Sequence, residues 1–237
     1  MVYITTDVWK AKEYLESGEP CVLVITDENR DEDMSFARYL VELDEAALKL
    51  LVEGRDDEVR SILGEGYLSM VEARVKEVPL TIAKGQYITL KEFSMENLDD
   101  IWDYFENEKP PFIESFFDTK DEAKVYLKRY ISEVYDFYGY GLWGVFDNFS
   151  GDFAGIVGFT PRENTDELDE ANCSAYMDLE LGFGIRQKFL RRGFAEEACR
   201  LAIAYADENI EYDSVIVRID PDNVPAQNLA RKLGIIR

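Results

Sequence analysis

Met177 to Ala198, MDLELGFGIRQKFLRRGFAEEA, reads as a strand passing through a short basic loop into a helix. Asp178, Glu180 and Gly182 alternate with Leu179, Leu181 and Phe183, the period of two that sends successive side chains to opposite faces of a sheet. From Glu196 the spacing changes, and Ala198, Leu201, Ala202, Ala204 and Tyr205 recur at helical intervals as an apolar stripe. Between the two lies Leu190-Arg191-Arg192-Gly193-Phe194-Ala195. The first N–H groups of a helix have no intrahelical partner. Here they coincide with the positive end of the helix dipole and two arginines, a setting that suits a phosphate.

Working outward, the chain has 237 residues and a hydrophobic share of 46%, enough for one large or two small domains with a real core. Lys and Arg number 26 against 49 Asp and Glu, a formal charge of -23. Such a surface repels nucleic-acid backbones and anionic membranes, so the partners it favours are cationic or neutral. Histidine is absent, which excludes Ser-His-Asp and Cys-His nucleophilic sites and His-bearing zinc sites. Proton transfer then falls to a carboxylate, tyrosine, lysine, cysteine or water. Cys21, Cys173 and Cys199 are too far apart for a CxxC motif, and their odd number points to reduced thiols in a cytoplasmic setting. No run has the length and apolarity of a membrane span, and no metal site is legible.

Before the opening stretch, Val2–Thr5 reads as a strand, Asp7–Ser17 as a helix and Cys21–Ile25 as a buried strand, together a small parallel βαβ unit. Helical patterns follow at Ala47–Val52 and Glu58–Val75, the second interrupted at Gly64 and Gly66. Pro79 and the charge change near Lys84 mark a boundary, giving a small α/β domain over residues 1–80 and a second domain over 81–237. Ile88–Phe93 reads as a strand, Ser94 as the cap of a helix reaching Phe105, and Thr119-Lys120-Asp121-Glu122 as a capping box. The helix that box opens would bury Val125, Tyr126, Tyr130, Ile131 and Val134 on one face. Leu142–Phe146 and Phe153–Phe159 read as a hairpin, with an acidic loop over Arg162–Asn172. Asp213–Ile219 reads as a strand, and Asp222-Asn223 caps a last helix to Leu233.

Two motifs fail on inspection. Asp27–Asp33 starts like a calcium loop, but its sixth position is Glu32 and its twelfth is Arg38, where Gly and Glu are required; it reads as a solvated turn. Gly139-Tyr140-Gly141-Leu142-Trp143-Gly144 spells GxGxxG. It follows a helix and enters a strand, the reverse of a dinucleotide-binding turn.

The stretch ELGFGIRQKFLRRGFAEEA, with Asn223-Val224-Pro225-Ala226 and Lys232-Leu233-Gly234, resembles the GNAT family of acetyl-CoA-dependent N-acetyltransferases over about residues 82–237, and within it the RimJ/RimL-like branch. The resemblance implies an α/β (α+β) fold: a mixed, mostly antiparallel sheet with a splayed parallel strand pair, flanked by helices. It implies acetyl transfer from acetyl-CoA to a primary amine, either a protein N-terminus or a small cationic amine, with no metal. The pantetheine arm would pair with the backbone of Phe183, Gly184 and Ile185, and the pyrophosphate would sit on the N–H groups of Arg191, Arg192, Gly193, Phe194 and Ala195. Asn223 would contact pantetheine, and Glu180 would take the amine proton, with Asp178 as its substitute.

Three departures accompany the resemblance. Leu190 stands where the family usually has Gln or Arg, which implies weaker cofactor binding. Ala230 stands where many relatives place a general-acid tyrosine. The chain stops at Arg237, before the last strand or two of relatives, which implies a sheet edge to be covered by another chain, including a second copy, or by the N-terminal unit. Tyr138, Tyr140 and Trp143 are expected to line the acceptor pocket. The competing expectation is a non-catalytic acyl-CoA-binding or sensing module.

Overall fold

A computed structural model describes residues 1–108, 117–163 and 177–236. The chain divides into two compact units, Met1–Leu80 and Thr81–Arg237. In the first, β1 (Tyr3–Thr5), α1 (Val8–Glu16) and β2 (Cys21–Ile25) form a parallel βαβ unit in the register Tyr3↔Cys21. The unbroken apolar run of β2 follows from its burial on both faces. Val22 packs with Val2, Leu68 and Val71, while Cys21 and Leu23 pack with Val8 and Ala11. A third parallel strand, β3 (Leu40–Glu42), pairs with β2. Its flanks, Arg38-Tyr39 and Glu42-Leu43-Asp44, extend no apolar run beyond Leu40-Val41, so the sequence carries little signal for it.

The other helices of this unit are α2 (Glu45–Val52), α3 (Asp56–Leu63) and α4 (Glu65–Val75), with Gly64 dividing the long helical pattern in two. Asn29 corrects the reading of the acidic turn as merely solvated, because it is only 4% exposed. Its side-chain oxygen accepts from Thr26 N, and its amide donates to Thr6 O and Val24 O, all within 2.9 Å. The turn is pinned to the ends of β1 and β2 through this one side chain.

The second unit runs β4 (Thr81–Lys84), β5 (Ile88–Lys91), α5 (Leu98–Asn107), α6 (Lys120–Arg129), α7 (Tyr135–Tyr138), β6 (Leu142–Asp147), β7 (Phe153–Glu163), β8 (Met177–Ile185), α8 (Phe194–Asn209), β9 (Ser214–Ile216) and α9 (Val224–Leu233). Its sheet has the order β4-β5-β6-β7-β8-β9. Every neighbouring pair is antiparallel except β8 and β9. The acidic loop expected over Arg162–Asn172 lies mostly outside the described residues, and β7 extends to Glu163.

Helix α6 opens on the Thr119–Glu122 capping box; Tyr126, Tyr130, Ile131 and Val134 pack on the core as expected, joined by Ala123 and Leu127, while Val125 is 68% exposed. The helix continues as a π turn over Tyr130–Val134. Hydrogen bonding from i to i+5 there brings Tyr130 and Tyr135 to the same side. There Leu142 N donates to Tyr130 Oη at 2.6 Å, and Tyr135 Oη donates to Leu142 O at 2.6 Å. Gly141 makes room for this clamp, since a Cβ there would stand 2.7 Å from Tyr130 Oη. The GxGxxG spelling thus serves packing.

Candidate active site

The parallel pairing of β8 and β9 covers Asp178↔Ser214, Leu179↔Val215 and Glu180↔Ile216, and stops. The β-branched run in Asp213–Ile219 promises a longer strand. Asp220 to Asn223 explains the shortfall: Asn223 N donates to Asp220 O at 2.9 Å, closing a turn that contains Pro221, and Ile219 lines a cavity instead of pairing. Strand β8 continues to Ile185 with β7 alone as partner. Past Glu180 its other edge faces open space.

Two adjoining cavities fill that space and share Phe183, Asn223 and Ala226. The inner one, about 50 Å³, is lined by Leu181, Arg218, Ile219 and Asp220 besides the shared residues. The outer one, about 270 Å³, has Gly184 and Ile185 on one wall and Pro225 and Leu229 of α9 on the other. Leu190 and Ala195 stand at its mouth, with Tyr104 and Glu108 beside them. The Asn223 side-chain oxygen caps α9 by accepting from Ala226 N at 3.2 Å while the residue lines both cavities.

Between the two lining residues Leu190 and Ala195, Arg191 has φ +60° and Gly193 φ +82°. The second value explains the glycine, and the first places a non-glycine residue in the left-handed region. Among the described residues, no protein acceptor takes the N–H groups of residues 191–195. Phe194 turns its ring inward onto Phe189, while Arg191 and Arg192 are exposed. Arg192 lies 5.1 Å from the Phe189 ring centroid and 3.8 Å from Asp147. The turn before this step is fixed from α5, where Glu108 accepts from Arg186 Nε at 3.1 Å and from Gln187 N at 2.6 Å. Arg186, with its side chain 11% exposed, also pairs with Asp103 and, at 3.9 Å, with Asp100. Burial works against its charge, but the hydrogen bonds to Glu108 and Asp103 hold it above the usual guanidinium range.

Glu180 occupies the last position of β8 that pairs with β9, its side chain 13% exposed. Arg218 Nε donates to its Oε1 at 2.6 Å. Asp178 accepts from Ser214 Oγ. Residues 88–236 match the family model described as an acetyltransferase (GNAT) domain. The chain belongs to the GNAT acetyltransferases. GNAT enzymes are acyltransferases that use acetyl-CoA as co-substrate, and both the mixed sheet and the fork in it accord with that family.

Among solved structures, this GNAT chain is similar to an acetyltransferase of the family from Bacillus anthracis, at 15% identity and TM-score 0.51 over 65% of this chain and 82% of that one. It is similar to a ribosomal-protein-S5-alanine acetyltransferase from Vibrio fischeri, at 13% identity and TM-score 0.51 over 65% and 82%. A Salmonella typhimurium enzyme that modifies the N-terminal serine of ribosomal protein L7/L12 gives 12% identity and TM-score 0.50 over 64% and 81%. At these identities the likeness concerns the fold. The uncharacterized protein YkkB of Bacillus subtilis is 26% identical over 98 residues, 41% of this chain and 52% of its own length, so the match spans about half of that relative.

Within the GNAT unit the aromatic expectation fails for Trp143. It is fully buried, edge-to-face with Phe159 and Tyr205, and belongs to the core. Tyr140 is also buried, Tyr138 is 44% exposed, and neither cavity at the fork includes either residue. Ala230 is buried and likewise lines neither cavity. Sequence reasoning missed Arg218, Tyr104, Glu108 and Arg186. Arg218 alone left a trace, as a charge interrupting the apolar run Val215-Ile216-Val217-Arg218-Ile219. Tyr104, whose phenol burial pushes well above its ordinary range, and Glu108 reach the cleft from α5, about eighty residues away in sequence.

Proposed function

We propose that the chain is an N-acetyltransferase of the RimJ/RimL-like kind, moving the acetyl group of acetyl-CoA to a primary amine. The observation that carries the reading is the fork: one groove has the unpaired edge of β8 along its length and unsatisfied N–H groups at its mouth. The backbone of Phe183, Gly184 and Ile185 would hold the pantetheine arm as a substitute strand. The N–H groups of Arg191, Arg192, Gly193, Phe194 and Ala195 would hold the pyrophosphate, with the Arg191 guanidinium beside them. The Asn223 amide would contact the arm while its oxygen caps α9.

Bound there, acetyl-CoA supplies an activated acyl carbon on a thioester sulfur. Glu180 takes the proton of the attacking amine at Oε2, the oxygen that Arg218 Nε does not hold, as the N–C bond forms and the C–S bond breaks. Ala230 has no proton to give, so the departing sulfur is protonated by water. A peptide N-terminus or a small cationic amine fits the formal charge of -23, and relatives named for ribosomal proteins favour the peptide. The proposal uses residues of the second unit alone, within a cytoplasmic setting.

The test is thiol release from acetyl-CoA over a panel of unblocked peptides and spermidine, with thermal unfolding followed in parallel. Turnover that Glu180→Gln slows by about 10²- to 10⁴-fold supports the reading. A thermal shift without turnover on any amine supports instead a non-catalytic acyl-CoA-binding module, the reading that Ala230 favours. Neither shift nor turnover refutes both.

A further inference from the structure

The ion pair at the fork adds a role that rests on the acetyltransferase reading and goes beyond it. Glu180 and Ile216 form the last register pair between β8 and β9. Two residues further on, after β9 has left the sheet, Arg218 reaches back across the gap and donates from Nε to Glu180 Oε1 at 2.6 Å. Arg218 also lines the inner cavity with Leu181 and Phe183. The two partners are unequally placed: the Arg218 side chain is 73% exposed and that of Glu180 only 13%. An exposed arginine adds little to stability through one such bond. A carboxylate enclosed at a fork behaves differently, because its terminal torsion is broad and two-fold and needs a partner to fix which oxygen faces the cleft.

We infer that Arg218 is a positioning residue of the transfer site. It holds Oε1 of Glu180 and thereby presents Oε2 to the amine, acting through Glu180 and not on the acetyl donor. The planar guanidinium suits the task, since its Nε–H has a fixed direction that a lysine ammonium lacks. Asp178, the nearest alternative carboxylate along β8, accepts instead from Ser214 Oγ.

The test uses the full chain, acetyl-CoA and the fastest amine of the peptide and spermidine panel. R218A should lower kcat on the order of 100-fold through misplacement of the base, with KM for acetyl-CoA and the thermal midpoint unchanged. R218K should recover part of the loss. Combined with E180Q, R218A should slow the reaction no further, because both changes remove one unit of action. Wild-type kcat in R218A overturns the inference, as does a rise in KM alone or an undiminished effect of R218A on the E180Q background. Each of those results leaves the acetyltransferase reading standing. No turnover by the wild-type chain removes that reading and this one together. Should R218A fail to fold, R218K decides: an intermediate kcat at unchanged KM sustains the role, and wild-type kcat ends it.

Discussion

Gly193→Ala separates the fold's need for a residue from the site's need for it. At φ +82° a Cβ on Gly193 meets no heavy atom within 4 Å, so the substitution clashes with nothing and its cost lies in the backbone. A left-handed L-residue costs about 1–2 kcal/mol, and the lower entropy of the unfolded alanine chain returns about 0.4–1 kcal/mol. The net loss, near 1 kcal/mol, lowers Tm by about 2–4 °C for a protein of this size. Binding should suffer more. The methyl group stands in the open space where a phosphate would rest, and any relaxation of φ turns the N–H groups of residues 193–195 away from it.

A tenfold loss of affinity is about 1.4 kcal/mol. With acetyl-CoA at a hundred times the wild-type Kd, ligand stabilisation falls from about 2.7 to about 1.4 kcal/mol, so the rise in Tm on adding acetyl-CoA roughly halves. Gly139→Ala is the matched control, with φ +72° and nothing within 4 Å, at the end of α7. It should lose the same stability and keep the full acetyl-CoA shift. Equal shifts in the two variants, measured by thermal unfolding with and without acetyl-CoA, would refute the assignment of the phosphate seat to this helix start.

Tyr135→Phe should cost about 1–3 kcal/mol in urea unfolding at constant m, because it strands the buried Leu142 carbonyl and the Phe93 N–H that its hydroxyl joins at 2.6 and 3.1 Å. Arg186→Met should cost about 3 kcal/mol by leaving the 16%-exposed Glu108 uncompensated, and adding Glu108→Gln should recover much of it in the same assay. Glu196 is held below its ordinary 4.5, first by the hydrogen bond from Lys232 and then by that from Arg200. A depressed carboxylate stabilises the fold above its unfolded pKa and ceases to as pH falls through its folded one, so the Tm gap between wild type and Glu196→Gln should close below pH 4.5.

The strand-step-helix of Met177–Ala198 was legible because a change of period from two to helical spacing is local information, and β8 and α8 fall there. Cys21–Ile25 was legible for a related reason: burial on both faces leaves an unbroken apolar run. Strands β3 and β4 were hidden because they are short and neither has a fully buried residue to mark it. Trp143 misled because an aromatic beside glycines reads alike whether it lines a pocket or fills a core, and only the positions of Phe159 and Tyr205 decide. The partners of Arg186 lie some eighty residues earlier on α5, and no spacing rule spans that distance.

Most consequential is the strand that ends too soon, and its cause is spread over a dozen residues. Val215 to Ile219 have the composition to continue beside β8. The next residues draw them off: Asp220 and Asn223 close a turn, Asn223 caps α9, and Pro225 fixes φ in its first turn. Helix α9 is held in turn by the 2.6 Å bond from Lys232 to Glu196 of α8, and its Ala226 and Leu229 become the wall opposite β8. The groove is therefore tied to the capping of α9, and where β9 diverges from β8, Arg218 reaches Glu180 at 2.6 Å. A substitution that let residues 217–220 pair with β8 would add sheet hydrogen bonds and close the groove, so the proposed site depends on hydrogen bonds that the sheet leaves unmade.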